Sequence, residues 1–265
     1  MTRFIDSAAA LVGVVHLPPL PGSPRFRGDM ASVISRAVAD AQALTAAGFD
    51  AVLVENFGDT PFFRGRVPTE TVAAMTAVGA AVRAATSLPL GINVLRNDAQ
   101  TALAVAHVVG AQFIRVNVLV GARVTDQGVV ESQSAELLRY RDALRAHDVA
   151  IVADVDVKHS RPLGAPGPDD AADEALECVE RAMADVVVVT GGRTGAAADR
   201  AVCERVARAV PRTPVWLGSG VTEATLRDWL TVARGVIVGS ALRADGKAGG
   251  AVDVARARAF VAARG

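Results

Sequence analysis

Aromatic side chains are scarce in this chain: eight Phe, two Trp and one Tyr among 265 residues. Little is therefore available for stacking nucleobases. An excess of either charge is also missing, since 28 Lys and Arg face 28 Asp and Glu. With basic residues scattered rather than clustered, neither nucleic acid nor an acidic membrane surface is an expected partner. Cysteine is nearly absent. Cys178 and Cys203 stand alone, without CxxC spacing, in stretches that read as helical, which excludes a disulfide framework and leaves free thiols in a reducing cytoplasm as the expectation. No apolar run reaches the roughly 20 residues needed to span a bilayer. The stretch "AAALVGVVHL" has neither a basic cluster before it nor a small-residue cleavage site after it, and His16 and three prolines interrupt it, so it reads as a strand rather than a signal peptide.

What is present is a repeated pattern. Short Val- and Ile-rich runs recur: "LVGVVHL", "DAVLVENF", "LPLGINVL", "AQFIRVNVL", "VAIVADVDV", "DVVVVTGG", "TPVWLGSG" and "RGVIVGSA". Between them lie Ala-rich segments with apolar residues three and four apart, which predict helices over 31–47, 69–86, 99–109, 136–146, 171–184, 200–210, 222–230 and 252–263. Near-continuous apolar strands alternating with helices imply a parallel sheet covered by helices. Eight such units at this length predict a single (β/α)8 barrel domain over residues 1–265, with a doubly wound sheet as the alternative. The Pro- and Gly-rich stretches "PPLPGSPRFRGD" and "SRPLGAPGPDD" read as long loops after the first and fifth runs.

In a barrel the site lies at the carboxyl ends of the strands, and polar residues gather there: His16; Glu55, Asn56 and Asp59; Asn93, Arg96, Asn97 and Asp98; Arg115 and Asn117; Asp154, Asp156, Lys158 and His159; Thr190 and Arg193. Alternation of side chains along a strand puts Asp154, Asp156 and Lys158 on one inward face and sends Asn93, Arg115 and Asn117 inward as well. Each unpaired charge in a dry interior costs several kcal/mol against a domain stability of about 5–15 kcal/mol. These charges must be paired with one another or open to a wet pocket.

The last strands carry a second signal. "WLGSGVT" ends one run in Gly218, Ser219 and Gly220, and "VIVGSALRADG" ends the next in Gly239 and Ser240. Glycine there lets backbone N–H groups approach an oxyanion, a following helix N-terminus adds a favourable dipole, and barrels commonly hold phosphate at these loops. "VTGGRTG" offers a third such turn, with Thr194 and Gly195, and it lacks Walker-type spacing.

Taken together, "GVVHLPPLPGSP", "ENFGDTPF", "GINVLRNDA", "FIRVNVLVGARVTDQG", "DVDVKHSRPL", "VTGGRTG", "GSGVT" and "VIVGSALRADG" resemble the BtpA family, which takes in SgcQ-type proteins and is named for a member linked to photosystem I biogenesis. The match runs nearly end to end, and Arg243 stands where the resemblance leads one to expect Lys. The resemblance implies a (β/α)8 barrel and no settled reaction.

The residues themselves point to an enzyme acting on a small phosphorylated metabolite, a sugar phosphate or a nucleotide-like ribosyl phosphate. Phosphate would rest on Thr194, Gly195, Gly218, Ser219, Gly220, Gly239 and Ser240. Substrate contacts are expected from Glu55, Asn93, Arg96, Asp98, Arg115 and Asn117, and catalysis from His16, Asp154, Asp156 and Lys158. Two chemistries fit: a Schiff base on Lys158 giving a lyase or aldolase, or a carboxylate stabilising an oxocarbenium-like centre in an isomerase or N-glycosidase. No cofactor is called for; Asp154, Asp156, Glu55 and His16 would offer hard ligands to a divalent metal, but no HExxH-like spacing supports one. Phe57, Phe62 and Phe63 would cover the substrate or bury a homo-oligomer interface. The competing class is a noncatalytic assembly or stability factor for a protein complex.

Overall fold

Val, Ile, Leu and Ala fill the strands so completely that both faces must be covered, and the chain answers this by closing the sheet on itself. The computed structural model describes residues 4–164, 167 and 170–265. Residues 165, 166, 168 and 169, in the Pro- and Gly-rich stretch predicted as a loop, lie outside them, as do the first three of the chain.

Among the described residues eight parallel strands form the closed barrel: β1 (Ala10–His16), β2 (Ala51–Glu55), β3 (Leu90–Asn93), β4 (Phe113–Val116), β7 (Ala150–Val155), β9 (Val186–Val189), β10 (Val215–Leu217) and β11 (Gly235–Val238), each beside its successor and β11 pairing with β1. The helices α1 (Met30–Ala47), α2 (Thr69–Ala85), α3 (Ala99–Val109), α4 (Ser134–Ala143), α5 (Asp170–Glu180), α6 (Arg200–Ala209), α7 (Leu226–Trp229) and α8 (Val254–Ala262) lie between and after them. All eight predicted strands are found, and the barrel is a TIM barrel. No described helix is long and apolar enough to cross a membrane.

Two local features depart from the expected pattern. Three short strands, β5 (Ala122–Thr125), β6 (Gly128–Glu131) and β8 (Ser160–Pro162), form a separate antiparallel sheet in the order β6-β5-β8. Its tight turn runs through Gly128 at φ 96°, a conformation that suits glycine. The helix predicted over 222–230 is reduced to the four residues of α7. Ahead of it, Thr225 Oγ1 accepts from Thr222 N at 3.1 Å, and this local bond holds the chain in a turn.

Alternation divides the barrel lumen into two layers. At the amino ends the fill is apolar, with the Phe4 ring 5.4 Å from Phe113 and 6.0 Å from Trp216, all three buried. Gly91 makes room for this layer, because a Cβ there would stand 2.2 Å from the Phe113 ring. At the carboxyl ends the same inward positions turn polar. The register aligns His16 with Glu55 and Glu55 with Asn93, so three strands deliver their last inward side chains at one level. Gly91→Ala should therefore overpack the lumen and lower stability by about 1–3 kcal/mol, read from the denaturant midpoint at unchanged m-value. An unchanged midpoint would mean that the Phe113 ring moves aside freely.

Candidate active site

Arg115 and Asp154 anchor the polar layer. From β4 the guanidinium meets the Asp154 carboxylate of β7 twice, Nε to Oδ1 at 2.9 Å and NH2 to Oδ2 at 3.1 Å. Asn117, just beyond β4, donates Nδ2 to Asp154 Oδ2 at 2.6 Å. Asp154 is completely buried. Burial alone would lower the Arg115 pKa, but Asp154 and Glu55 beside it raise it above the usual arginine value. The pair is a fixed charge couple, and it engages both oxygens of Asp154.

Glu55 closes the layer on the other side. It accepts from Asn93 Nδ2 at 2.7 Å, lies 4.0 Å from Arg115 NH1 and 4.0 Å from His16 Nε2. His16 accepts at Nδ1 from Gly249 N at 3.4 Å, which leaves its proton on Nε2, facing Glu55. Phe57 packs against the imidazole with centroids 4.5 Å apart. Burial, then Arg243, Lys158 and Arg115, hold the His16 pKa well below the ordinary value, so the ring is neutral at neutral pH. Gly239 is what lets it fit: a Cβ there would be 2.6 Å from His16 Cε1.

Lys158 reaches the same level from the loop after β7. Its backbone is held on both sides, the N–H donating to Thr190 Oγ1 at 2.8 Å and the carbonyl accepting from Arg96. Its ammonium has no ion pair or hydrogen bond among the described residues. Burial and then Arg115 outweigh the pull of Glu55 and Asp154, and the Lys158 pKa falls from 10.5 to about 8.

Two connected cavities meet at these residues. An inner one, narrow at about 30 Å³, is lined by His16, Glu55, Arg115 and Lys158 together with every residue of the expected phosphate grip: Thr194, Gly195, Gly218, Ser219, Gly220, Gly239 and Ser240. An outer basin of about 810 Å³ shares Glu55, Arg115, Lys158 and Thr194 with it and adds Phe57, Phe62, Arg96, Asn117, His159 and part of the small sheet. Within the grip the hydroxyls of Thr194 and Ser219 are already engaged. His159 Nε2 lies 2.9 Å from Thr194 Oγ1 and 3.1 Å from its N, and Ser219 Oγ accepts from Gly191 N at 2.8 Å while donating to the Ala196 carbonyl at 3.0 Å. The backbone N–H groups of Gly195, Ser219 and Gly220 make no hydrogen bond among the described residues. The grip is therefore one of main-chain donors. No long helix follows Gly220, so the expected helix dipole is lacking at that loop; beyond Gly239 only the single 3-10 turn Ser240–Leu242 begins.

A buried residue beneath this cradle sets its shape. Arg243, only 1% exposed, donates to the carbonyls of Val14 at 2.8 Å, Gly239 at 2.9 Å and Gly250 at 3.1 Å. Because a peptide's carbonyl and N–H point in opposite directions, drawing the Gly239 carbonyl toward Arg243 turns the Ser240 N–H away from it. Burial lowers the Arg243 pKa to about 10. Its place in the sequence showed only as an exchange of one basic residue for another.

Several expected site residues lie elsewhere. Asp156 is not on the inward face: β7 ends at Val155, Asp156 has φ 46°, and its exposed carboxylate pairs with Arg123. Asp98 lines neither cavity. It caps α3, accepting from Thr101 N at 3.0 Å, and its other oxygen accepts from Val67 N at 2.8 Å. Asp59 is likewise taken up by the fold, its oxygens accepting from Leu20 N and Asn56 Nδ2. Asn97 bonds both the N–H and the carbonyl of Val118, tying the turn after β3 to the end of β4. The four residues weighed for a divalent metal do not converge, since Asp154 is taken up by Arg115 and Asn117 while Asp156 faces outward. Phe57 and Phe62 line the outer basin, and Phe63 stands 57% exposed outside it.

Comparison with known proteins agrees with this architecture. The BtpA family pattern matches residues 7–264. The Photosystem I biogenesis protein BtpA of Synechocystis sp. is 46% identical over 253 residues, covering 96% of this chain and 87% of that protein. An uncharacterized protein of Pyrococcus furiosus is 43% identical over 258 residues, covering 96% and 94%. Among solved structures, a native KDPGal structure superposes with a TM-score of 0.59 at 17% identity, covering 99% of this chain and 95% of that one. Phosphoribosyl anthranilate isomerase from Thermus thermophilus gives 0.56 at 14% identity, covering 96% and 97%. At such identities the structural likeness is one of fold.

The unequal placement of the two aspartates has a measurable consequence. Asp154→Ala strands a buried guanidinium and should cost about 3–5 kcal/mol, whereas Asp156→Ala, at a half-exposed pair, should cost about 1 kcal/mol or less. Chemical denaturation of the two variants side by side checks this, and equal losses would contradict the assignment.

Proposed function

The chain belongs to the BtpA family, and on that footing we propose that it is an enzyme that binds a small phosphorylated carbonyl compound and activates it as a Schiff base on Lys158. The observation that carries this reading is the unpartnered Lys158 ammonium, with its pKa at about 8, at the neck between the inner and outer cavities. At pH 7 roughly a tenth of such a lysine is the free amine, against less than a thousandth for an ordinary one. Phosphate would occupy the main-chain cradle of the inner cavity, which would put the carbonyl carbon at the neck.

The chemistry balances without an added reagent. The neutral amine attacks the carbonyl carbon and a C–N bond forms; one proton taken up from solvent at the barrel mouth then lets the carbonyl oxygen leave as water, giving the iminium cation. That cation draws electrons from a neighbouring C–H or C–C bond, which is the step common to lyases, aldolases and some isomerases. Glu55 is the carboxylate that lines both cavities, and neutral His16 lies 4.0 Å from it, so this pair is the candidate proton carrier. The oxocarbenium alternative loses support, because Asp154 is held by Arg115 and Asn117 while Asp156 faces outward.

A second reading, a noncatalytic assembly factor, is favoured by the name of the Synechocystis relative. It gives no reason for an unpaired lysine of lowered pKa beside an open anion cradle. Treatment with a panel of aldose and ketose phosphates and cyanoborohydride separates the two. The imine reading expects a mass addition on Lys158, suppressed by excess inorganic phosphate and lost in Lys158→Arg; a panel that leaves Lys158 unmodified favours the assembly factor. The initial trapping rate should rise about tenfold per pH unit below about pH 7, bend over near pH 8 where half the lysine is amine, and level off above about pH 9. A rise continuing past pH 10 would show an ordinary lysine.

A further inference from the structure

Lys158 is followed by a residue that the chemistry above leaves idle. His159 is exposed and lines the outer basin, yet its Nε2 meets the next loop of the barrel: Thr194 N donates to it at 3.1 Å, and Thr194 Oγ1 lies 2.9 Å away. A backbone N–H can only donate, so Nε2 is the unprotonated nitrogen and the ring proton sits on Nδ1. Burial, then Arg96 and Lys158, outweigh Asp126 and hold the His159 pKa below the ordinary value, in keeping with a neutral ring. This contact is the last of three rungs between the two loops. Thr190 Oγ1 accepts from Lys158 N at 2.8 Å and the Gly192 carbonyl accepts from His159 N at 3.1 Å, so the first two rungs use the main chain of residues 158 and 159. The imidazole alone reaches Thr194, which has no other hydrogen bond among the described residues. Gly195 comes next and faces Ser240 across the cradle, where a Cβ on it would stand 3.6 Å from Ser240 Oγ.

We infer that His159 is a positioning residue: its imidazole holds Thr194 and Gly195 against the inner cavity and so ties the phosphate grip to the loop that carries Lys158. This rests on the anion-cradle part of the proposed function and not on the imine. Thr194 lines both cavities and Gly195 the inner one, so this arm forms the edge between them. Its far end is anchored where the Ala196 carbonyl accepts from Ser219 Oγ at 3.0 Å, and its near end at the Gly192 carbonyl. Without an acceptor at Nε2 the Thr194 N–H turns to water, and the arm is tied only at those two ends. Lys158 keeps its place, because its own rung is a main-chain bond. The position also restricts what else can serve there. His159 has φ 59°, a conformation in which His, Asn and Asp are enriched. Asn and Asp tolerate that backbone, but their side chains end where Nδ1 does, one atom short of Nε2.

Sulfate is the probe, because it stays a dianion throughout the neutral range and has no carbonyl to react. It is titrated by calorimetry at constant ionic strength and neutral pH against the intact protein and two variants, with folding checked by thermal melts. His159→Asn suits the left-handed backbone but falls short of Thr194, and its sulfate dissociation constant should rise about five- to tenfold. His159→Gln is the poorer residue for that backbone, yet its Oε1 reaches the place of Nε2, and it should stay within about twofold of the wild type. Backbone strain alone would give the opposite order. The half-saturating concentration of dihydroxyacetone phosphate for trapping on Lys158 should move in parallel with the sulfate constant. If Gln weakens sulfate binding as much as Asn, or if neither weakens it, the positioning role is overturned. It is overturned as well if the wild-type protein binds no sulfate, since no cradle is then left to position. If the sulfate pattern holds while no phosphorylated carbonyl labels Lys158, the imine reading has failed and the role of His159 stands.

Discussion

The ion pair between Arg115 and Asp154 decides what every other charge at the barrel mouth can do. A buried guanidinium and a buried carboxylate are each costly alone, and here they satisfy each other in a two-point contact, with Asn117 occupying what remains of the carboxylate. Glu55 is in turn held by Asn93, within 4.0 Å of Arg115. Two carboxylates and one guanidinium are thus spoken for before Lys158 arrives. The lysine enters a layer whose carboxylates are already engaged, so that burial first and the repulsion of Arg115 second outweigh the pull of Glu55 and Asp154 and lower its pKa.

The way the barrel is assembled makes this allocation possible. Strand register places His16, Glu55 and Asn93 at one level, and the parallel pairing of β4 with β7 brings Arg115 up to Asp154. Three absent side chains open the space above them: Gly239 admits the imidazole, Gly218 leaves room for the Arg115 guanidinium 2.9 Å from where its Cβ would be, and Gly220 at φ 72° passes close under the Ala196 carbonyl. These glycines serve packing and line the inner cavity together.

Much of this could be read in the sequence, because a period of two along a strand is a strong constraint. It put Asn93, Arg115, Asn117 and Asp154 into the lumen, and the glycine pattern marked the residues that line the inner cavity. It failed for Asp156, where alternation was carried one residue past the end of β7 into a left-handed conformation. The small antiparallel sheet went unseen because its strands are three or four residues long and only half apolar, although "TDQG" between two Val-containing runs is a hairpin cue. The role of Arg243 could not be seen at all, since nothing in a sequence says that three carbonyls from distant segments will converge on one guanidinium. Arg96 was legible as a rim residue but not in its partner, the Lys158 carbonyl, which depends on how two loops meet.

The aromatic layer of Phe4, Phe113 and Trp216 does more than fill the lumen. It stops the barrel at its amino end, so the inner cavity is the bottom of a well rather than a station along a passage. On the proposed reading a ligand would descend past Phe57 and Phe62 and then past Lys158, and would leave by the same route. The anionic group would have to lead, which would favour phosphates at the end of a chain over those carried at its middle. Departure would run in the opposite order: a piece formed in the outer basin would diffuse away first, while a phosphorylated piece below it would have to wait.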